Sequence, residues 1–170
     1  MTVISLAKQL DLDQVIGYAA RSMLSFADAE LLLQRLAALP VKRSHALQRL
    51  GSYVARGAEP LAIRLQFAQE SRQLTATFLH EVAHACDHLS HQSGKPYRRA
   101  HGPGWQAWMA ALGQPADTRG ASTSLAELRT QRLKVVAVCR SCGAEIRRLR
   151  RLDRRKRYIH TDCGGRLQPV

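Results

Sequence analysis

The chain has 170 residues, room for one compact domain with a small appendage and too little for two large ones. Its 45% hydrophobic and 23% charged content excludes a chain disordered throughout and a fibrous repeat, and no apolar run approaches the ~20 residues of a bilayer span, so neither an integral membrane protein nor a membrane partner is expected. The net charge of +13 is uneven: residues 131–170 hold 12 basic and 3 acidic residues, which points to a polyanionic partner, nucleic acid foremost.

In chain order, Leu12, Val15, Ile16, Ala19, Ala20 and Met23 recur at helical spacing, with Asp11 placed as an N-cap. Ser25 with Asp28 three residues on resembles a capping box, and Leu31, Leu32 and Leu36 supply the apolar face of a second helix that Pro40 stops. Residues 1–38 are thus read as N-terminal helices. Leu61, Ile63, Leu65 and Phe67 then alternate with Ala62, Arg64 and Gln66, the pattern of a strand with one buried face. Leu50, Tyr53 and Val54 suggest a partner strand, and residues 41–44 a third.

Residues 70–91 return to helical spacing. Phe78, Leu79, Val82, Cys86 and Leu89 fall on one side, and His80, Glu81, His84 and His88 on the other. Gly94, Pro96, Gly102, Pro103 and Gly104 make 92–104 a loop. A short helix with Trp105, Trp108, Met109 and Leu112 follows, and residues 113–124 read as a loop or linker. Residues 134–170 read as short strands around turns at 139–143 and 160–165. The fold class is therefore α+β: a helical core with a small three-stranded sheet over 39–130, then a small β unit over 131–170.

His80-Glu81-Val82-Ala83-His84 is an H-E-x-x-H sequence. Histidines four apart on a helix lie ~6 Å apart along its axis and ~40° apart around it, so both imidazoles reach one ion. Glu81, on the rim of the same face, is placed to take a proton from water activated at that ion. Roughly 0.01 such motifs are expected by chance in this composition. A catalytic zinc needs a third protein ligand and an open position. His88 and His91 are candidates, but successive turns of one straight helix do not converge on a small ion. His101, beyond a Gly/Pro loop that lets the chain fold back, is favoured, and His88 is read as supporting a ligand or as a surface residue.

The four cysteines are Cys86, Cys139, Cys142 and Cys163. With no secretory signal evident, the compartment is read as reducing and cytoplasmic, where such spacing favours metal over disulfides. Cys139, Cys142, His160 and Cys163 form C-x2-C-x17-H-x2-C, the pattern of a closed structural zinc site. Glycines after Cys142 and Cys163 suit the tight turns. Cys86 falls on the core face of the long helix and reads as a buried structural thiol. Between the two Cys turns, Arg147, Arg148, Arg150, Arg151, Arg154, Arg155, Lys156 and Arg157 make eight of eleven residues basic. They are read as a hairpin with phosphate-binding guanidinium groups, and Tyr158 as a face on which an unpaired base could stack.

The run His80-Glu81-Val82-Ala83-His84-Ala85, followed by His101-Gly102-Pro103-Gly104-Trp105, resembles the SprT-like metalloprotease family. Gly51-Ser52-Tyr53 and Leu61-Ala62-Ile63-Arg64-Leu65 look like the strands that family places before its zinc helix, so the resemblance covers about residues 39–170. It implies a metalloprotease core over 39–130 with His80, His84 and His101 as zinc ligands and Glu81 as catalytic base. It also implies a C-terminal zinc ribbon over 131–170, in which His160 stands where many bacterial relatives have Cys. The expectation is a zinc metalloendopeptidase with two Zn2+ ions, one catalytic and one structural, cleaving proteins bound or crosslinked to DNA. The DNA, single-stranded or with exposed bases, would be held by the basic ribbon, and the protein would be cytoplasmic and nucleoid-associated. The substrate class and the crosslink-repair role come from the resemblance; the residues alone give metal-assisted hydrolysis and polyanion binding. Tyr97 and Arg98 are the candidate helpers for oxyanion stabilisation. The rival readings are a zinc-stabilised DNA-binding protein without significant proteolysis and a protease indifferent to DNA.

Overall fold

The computed structural model describes residues 1–91, 97 and 99–170. Most of the loop expected at 92–104, and Arg98 with it, lies outside the described residues. The chain forms two compact units, 1–124 and 125–170.

The first unit opens with a helix that the hydrophobic spacing did not reveal, α1 (Val3–Gln9). Its signal is at the cap: the Thr2 hydroxyl accepts from the Ser5 amide while the Ser5 hydroxyl accepts from the Thr2 amide, a reciprocal cap with Ser in the position usually held by Glu or Gln. Helix α2 (Asp13–Met23) starts where expected, but Leu12 is its N-cap and Asp11 sits in the left-handed region at φ 56°. Asp11 therefore turns the chain between α1 and α2 and does not cap, a conformation that Asp tolerates better than most side chains. Helix α3 (Phe26–Ala38) is capped as its sequence predicts, Ser25 accepting from the Asp28 amide.

Three strands follow: β1 (Val41–Arg43), β2 (Gly51–Arg56) and β3 (Glu59–Leu65). The sheet order is β1-β3-β2, with β1 parallel and β2 antiparallel to β3. Strand β2 is therefore an edge, and a register shift follows Val54. The long helix α4 (Ser71–His91) packs its apolar side on this sheet, and α5 (Pro103–Ala111) packs on α4. Ile63 and Leu65 join Phe78, Leu79, Val82 and Cys86 in one buried cluster with Trp105 and Trp108. Val3, Leu6, Ile16, Leu32 and Leu36 belong to that same cluster. The change near residue 38 is thus one of secondary structure and not of compact unit.

Helix α6 (Thr123–Gln131), also missed in the sequence, runs across the boundary between the units. The second unit holds β4 (Lys134–Cys139), β5 (Glu145–Arg148) and β6 (Leu167–Pro169) in the antiparallel order β5-β4-β6. Its core is small: Val136, Ala137, Cys139, Leu152 and Leu167. The expected basic hairpin is corrected here, because strand pairing stops at Arg148 and 149–158 is a loop apart from turns. Leu152 leaves strand geometry to bury itself in that core. Among the described residues no helix is long and apolar enough to cross a membrane.

Candidate metal centres

His80, Glu81 and His84 lie in the middle of α4, and His101 lies two residues before α5. Pro103 at the first position of α5 has the φ a helix start needs. His101 itself holds φ 61°, a left-handed conformation that costs a non-glycine residue about 1–2 kcal/mol. That backbone turn brings its ring back over α4. The Nε2 atom of His80 is 3.2 Å from that of His84 and 3.1 Å from that of His101. Tetrahedral ligands at ~2.0–2.1 Å from zinc would be separated by about 3.3 Å. The observed separations are close to that spacing, and the three side chains form a group able to hold a metal ion.

The surroundings set the protonation of the ligands. Burial, reinforced by the other two rings, holds His84 down to about 3. Burial likewise lowers His80, with His101 adding to it, and lowers His101. All three are then neutral at pH 7, the form that binds metal. The outer ring nitrogens are engaged as well. His84 Nδ1 lies 2.8 Å from the Tyr97 hydroxyl, and His80 hydrogen-bonds the backbone of Asp117. Trp105 lies against all three rings, its own centre 4.9, 5.4 and 4.6 Å from those of His80, His84 and His101.

Glu81 is 5% exposed. Burial pushes its carboxyl up to about 7, opposed by a hydrogen bond from the Tyr53 amide. It opens onto a cleft of about 820 Å3 that also contains His80, His84, His101, Tyr97 and Gly51. Residues 114–120, read in the sequence only as a loop or linker, supply one wall through Pro115, Asp117 and Arg119. His88 does not join the metal group. It is 1% exposed, so a surface role is set aside, and its Nδ1 lies 2.7 Å from the Tyr53 hydroxyl.

Two participants had weak signals in the sequence. Gly51 opens β2, where a methyl group would stand 2.7 Å from Thr77 Cγ2 and 2.9 Å from Glu81 Oε1. A glycine in a strand often marks such a close approach. Asp87, on the same helix, is 4% exposed and hydrogen-bonded by Tyr97, and only the fold brings those two together.

The second group is Cys139, Cys142, His160 and Cys163. Cys163 Sγ is 3.4 Å from the sulfurs of Cys139 and Cys142, and His160 Nδ1 is 3.3 Å from those of Cys142 and Cys163. These separations are too long for disulfides and close to the edges of one tetrahedral site. Gly143 and Gly164 take φ of 72° and 70°, which makes glycine the fitting residue in each turn. Backbone hydrogen bonds from Cys142, then Ser141, hold the Cys139 thiol below its ordinary range, while the neighbouring Cys142 and Cys139 sulfurs push Cys163 up. His160 Nε2 is 3.4 Å from an Asp162 carboxylate oxygen, which orients the ring for coordination through Nδ1. Cys86 is buried at 1% exposure and belongs to the core.

All eight basic residues of 147–157 are exposed, with Arg147 paired to Glu145 at 2.9 Å. Tyr158 is half-buried against the small core, and its hydroxyl accepts from the Asp153 amide.

No curated protein and no solved structure matches the chain. The family model described as "SprT-like family" matches residues 21–127. That span reaches from the end of α2 into α6, contains His80, Glu81, His84 and His101, and excludes the Cys/His group. It covers well over half of the sequence, and the chain belongs to the SprT-like family.

Proposed function

We propose that the chain is a zinc-dependent endopeptidase acting on proteins bound or crosslinked to DNA, with the DNA held by the basic loop of the second unit. The observation that carries the hydrolytic part is the convergence of three neutral imidazole Nε2 atoms beside a buried carboxylate in one open cleft. Three nitrogen donors with an accessible side fit a catalytic zinc, and three sulfurs with one nitrogen fit a closed structural one.

Zinc bound by His80, His84 and His101 supplies Lewis acidity that makes water nucleophilic near neutral pH. Glu81 takes the proton from that water at its carboxylate and delivers it to the departing amine. A carboxylate lining the same cleft as the three imidazoles is placed for both halves of that transfer. The edge strand β2 shapes one side of the cleft through Gly51, Ser52 and Tyr53, and residues 114–120 shape another. DNA binding is supported by the net +9 of residues 131–170 and the exposure of the eight basic side chains. Their guanidinium groups match phosphate oxygens in charge and geometry.

The test is Glu81→Gln, with zinc content measured alongside cleavage of a basic protein, free or bound to single-stranded or duplex DNA. The wild type should cleave and respond to DNA, while the variant keeps two zinc ions and loses cleavage. Equal inertness of both proteins with every DNA present would replace this reading with a zinc-stabilised DNA-binding protein. Cleavage indifferent to DNA would leave a protease without the DNA role.

A further inference from the structure

The hydrogen bonds behind His84 have only one consistent order. Its Nε2 points at the other two ligand nitrogens, so a metal there requires the lone pair on Nε2 and the hydrogen on Nδ1. Nδ1–H then donates to the Tyr97 hydroxyl 2.8 Å away. The Tyr97 O–H is left to donate onward, and its second partner is the side chain of Asp87. An ionised carboxylate only accepts, so the chain runs from imidazole to phenol to carboxylate without a break.

Asp87 also touches a second element. A methyl group added at Gly104 would overlap its carboxylate, so Asp87 lies directly against the first turn of α5. Amides in a first turn lack partners within the helix, and the helix dipole there favours negative charge. The two residues before Pro103 are His101 and the N-cap Gly102, and Trp105 packs on all three metal-site rings.

We propose that Asp87 is a positioning residue for the histidine metal site: through Tyr97 it holds His84 in the metal-binding tautomer, and through the first turn of α5 it holds the segment that delivers His101. This inference rests on the reading of His80, His84 and His101 as the metal site. It explains why an acid is buried one turn from His84, and why residue 104 is glycine.

The test uses the full chain with Tyr97→Phe and Asp87→Asn. Zinc affinity of the histidine site is measured by chelator competition, with the zinc of the Cys/His group as internal reference. Cobalt is also exchanged into the histidine site, and its visible absorption recorded. Loss of a hydrogen-bond partner behind a metal ligand typically weakens affinity 10- to 100-fold. Both variants are expected to loosen the histidine-site metal by that factor, shift the cobalt spectrum and leave the Cys/His metal unchanged. If Asp87→Asn does not fold, Tyr97→Phe decides alone. Affinity within twofold of wild type in Tyr97→Phe, with an unchanged spectrum, overturns the proposal while leaving the metal site standing. A wild type that holds no metal at the histidines overturns both.

Discussion

The backbone amide of Tyr53 donates a hydrogen bond to the carboxylate of Glu81, tying the edge strand β2 to the residue proposed as general base. Glu81 is nevertheless 5% exposed, and its burial outweighs that bond, moving the carboxyl from 4.5 to about 7. A folded-state value above the unfolded one means that the native protein binds more protons between those pH values and loses stability as pH rises through 7. In metal-free protein, Glu81→Gln is therefore expected to raise thermal stability at pH 8 by roughly 3 kcal/mol. No gain is expected at pH 4, where both forms are uncharged. Calorimetry of the chelated proteins at the two pH values checks this; an equal gain at both would refute it.

Gly51 lies where a side chain would press on Glu81. Its added methyl would meet Thr77 Cγ2 at 2.7 Å and Glu81 Oε1 at 2.9 Å. Gly51→Ala should displace the carboxylate without touching a metal ligand. Misplacement by an ångström can cost on the order of 100-fold in rate. The expected result is a kcat lowered at least about tenfold with zinc content unchanged, and undiminished turnover would contradict it.

The second unit has five buried hydrophobic residues in its core, too few to fold a β unit of this size unaided. Coordination should supply the missing stability, since structural zinc contributes on the order of 10 kcal/mol or more to small domains. Cys142→Ala is expected to abolish the dispersed NMR signals of 134–170 while those of 1–124 persist. Persistence of both sets would show that the metal is not structural.

The loop 149–158 carries Arg154, Arg155, Lys156 and Arg157 in succession, all exposed. If each neutralises one phosphate, replacing the four by Gln should lower the steepness of log affinity against log salt by about 3 to 4 for duplex DNA. Fluorescence anisotropy over a salt series measures it. An unchanged slope would place the DNA elsewhere.

Much of the site was readable locally, because metal ligands must recur at spacings their backbone permits. His80 and His84 on one helix face, the two Cys turns and the Gly/Pro loop before His101 all follow from that constraint. The strands 51–56 and 59–65 were readable from alternation and flanking glycines. Helices α1 and α6 were not: α1 is short and marked mainly by its Thr2–Ser5 cap, and α6 has a single fully buried residue, Leu125. The strand pattern extended through the basic run failed because alternation says nothing of Leu152, which is drawn into the core of its unit.

What the amino-acid order determined by itself was the chemistry: three imidazoles and a carboxylate in one region, three thiols and an imidazole in another, and a concentration of cations near the second. Tertiary structure decided what surrounds them. The burial that keeps the histidines neutral and raises Glu81, the approach of Gly51, the wall formed by residues 114–120 and the reach of Asp87 through Tyr97 to His84 all depend on segments distant in sequence meeting in space. Spacing rules govern neighbours along the chain, whereas desolvation and hydrogen bonding depend on whatever the packed core sets beside each group.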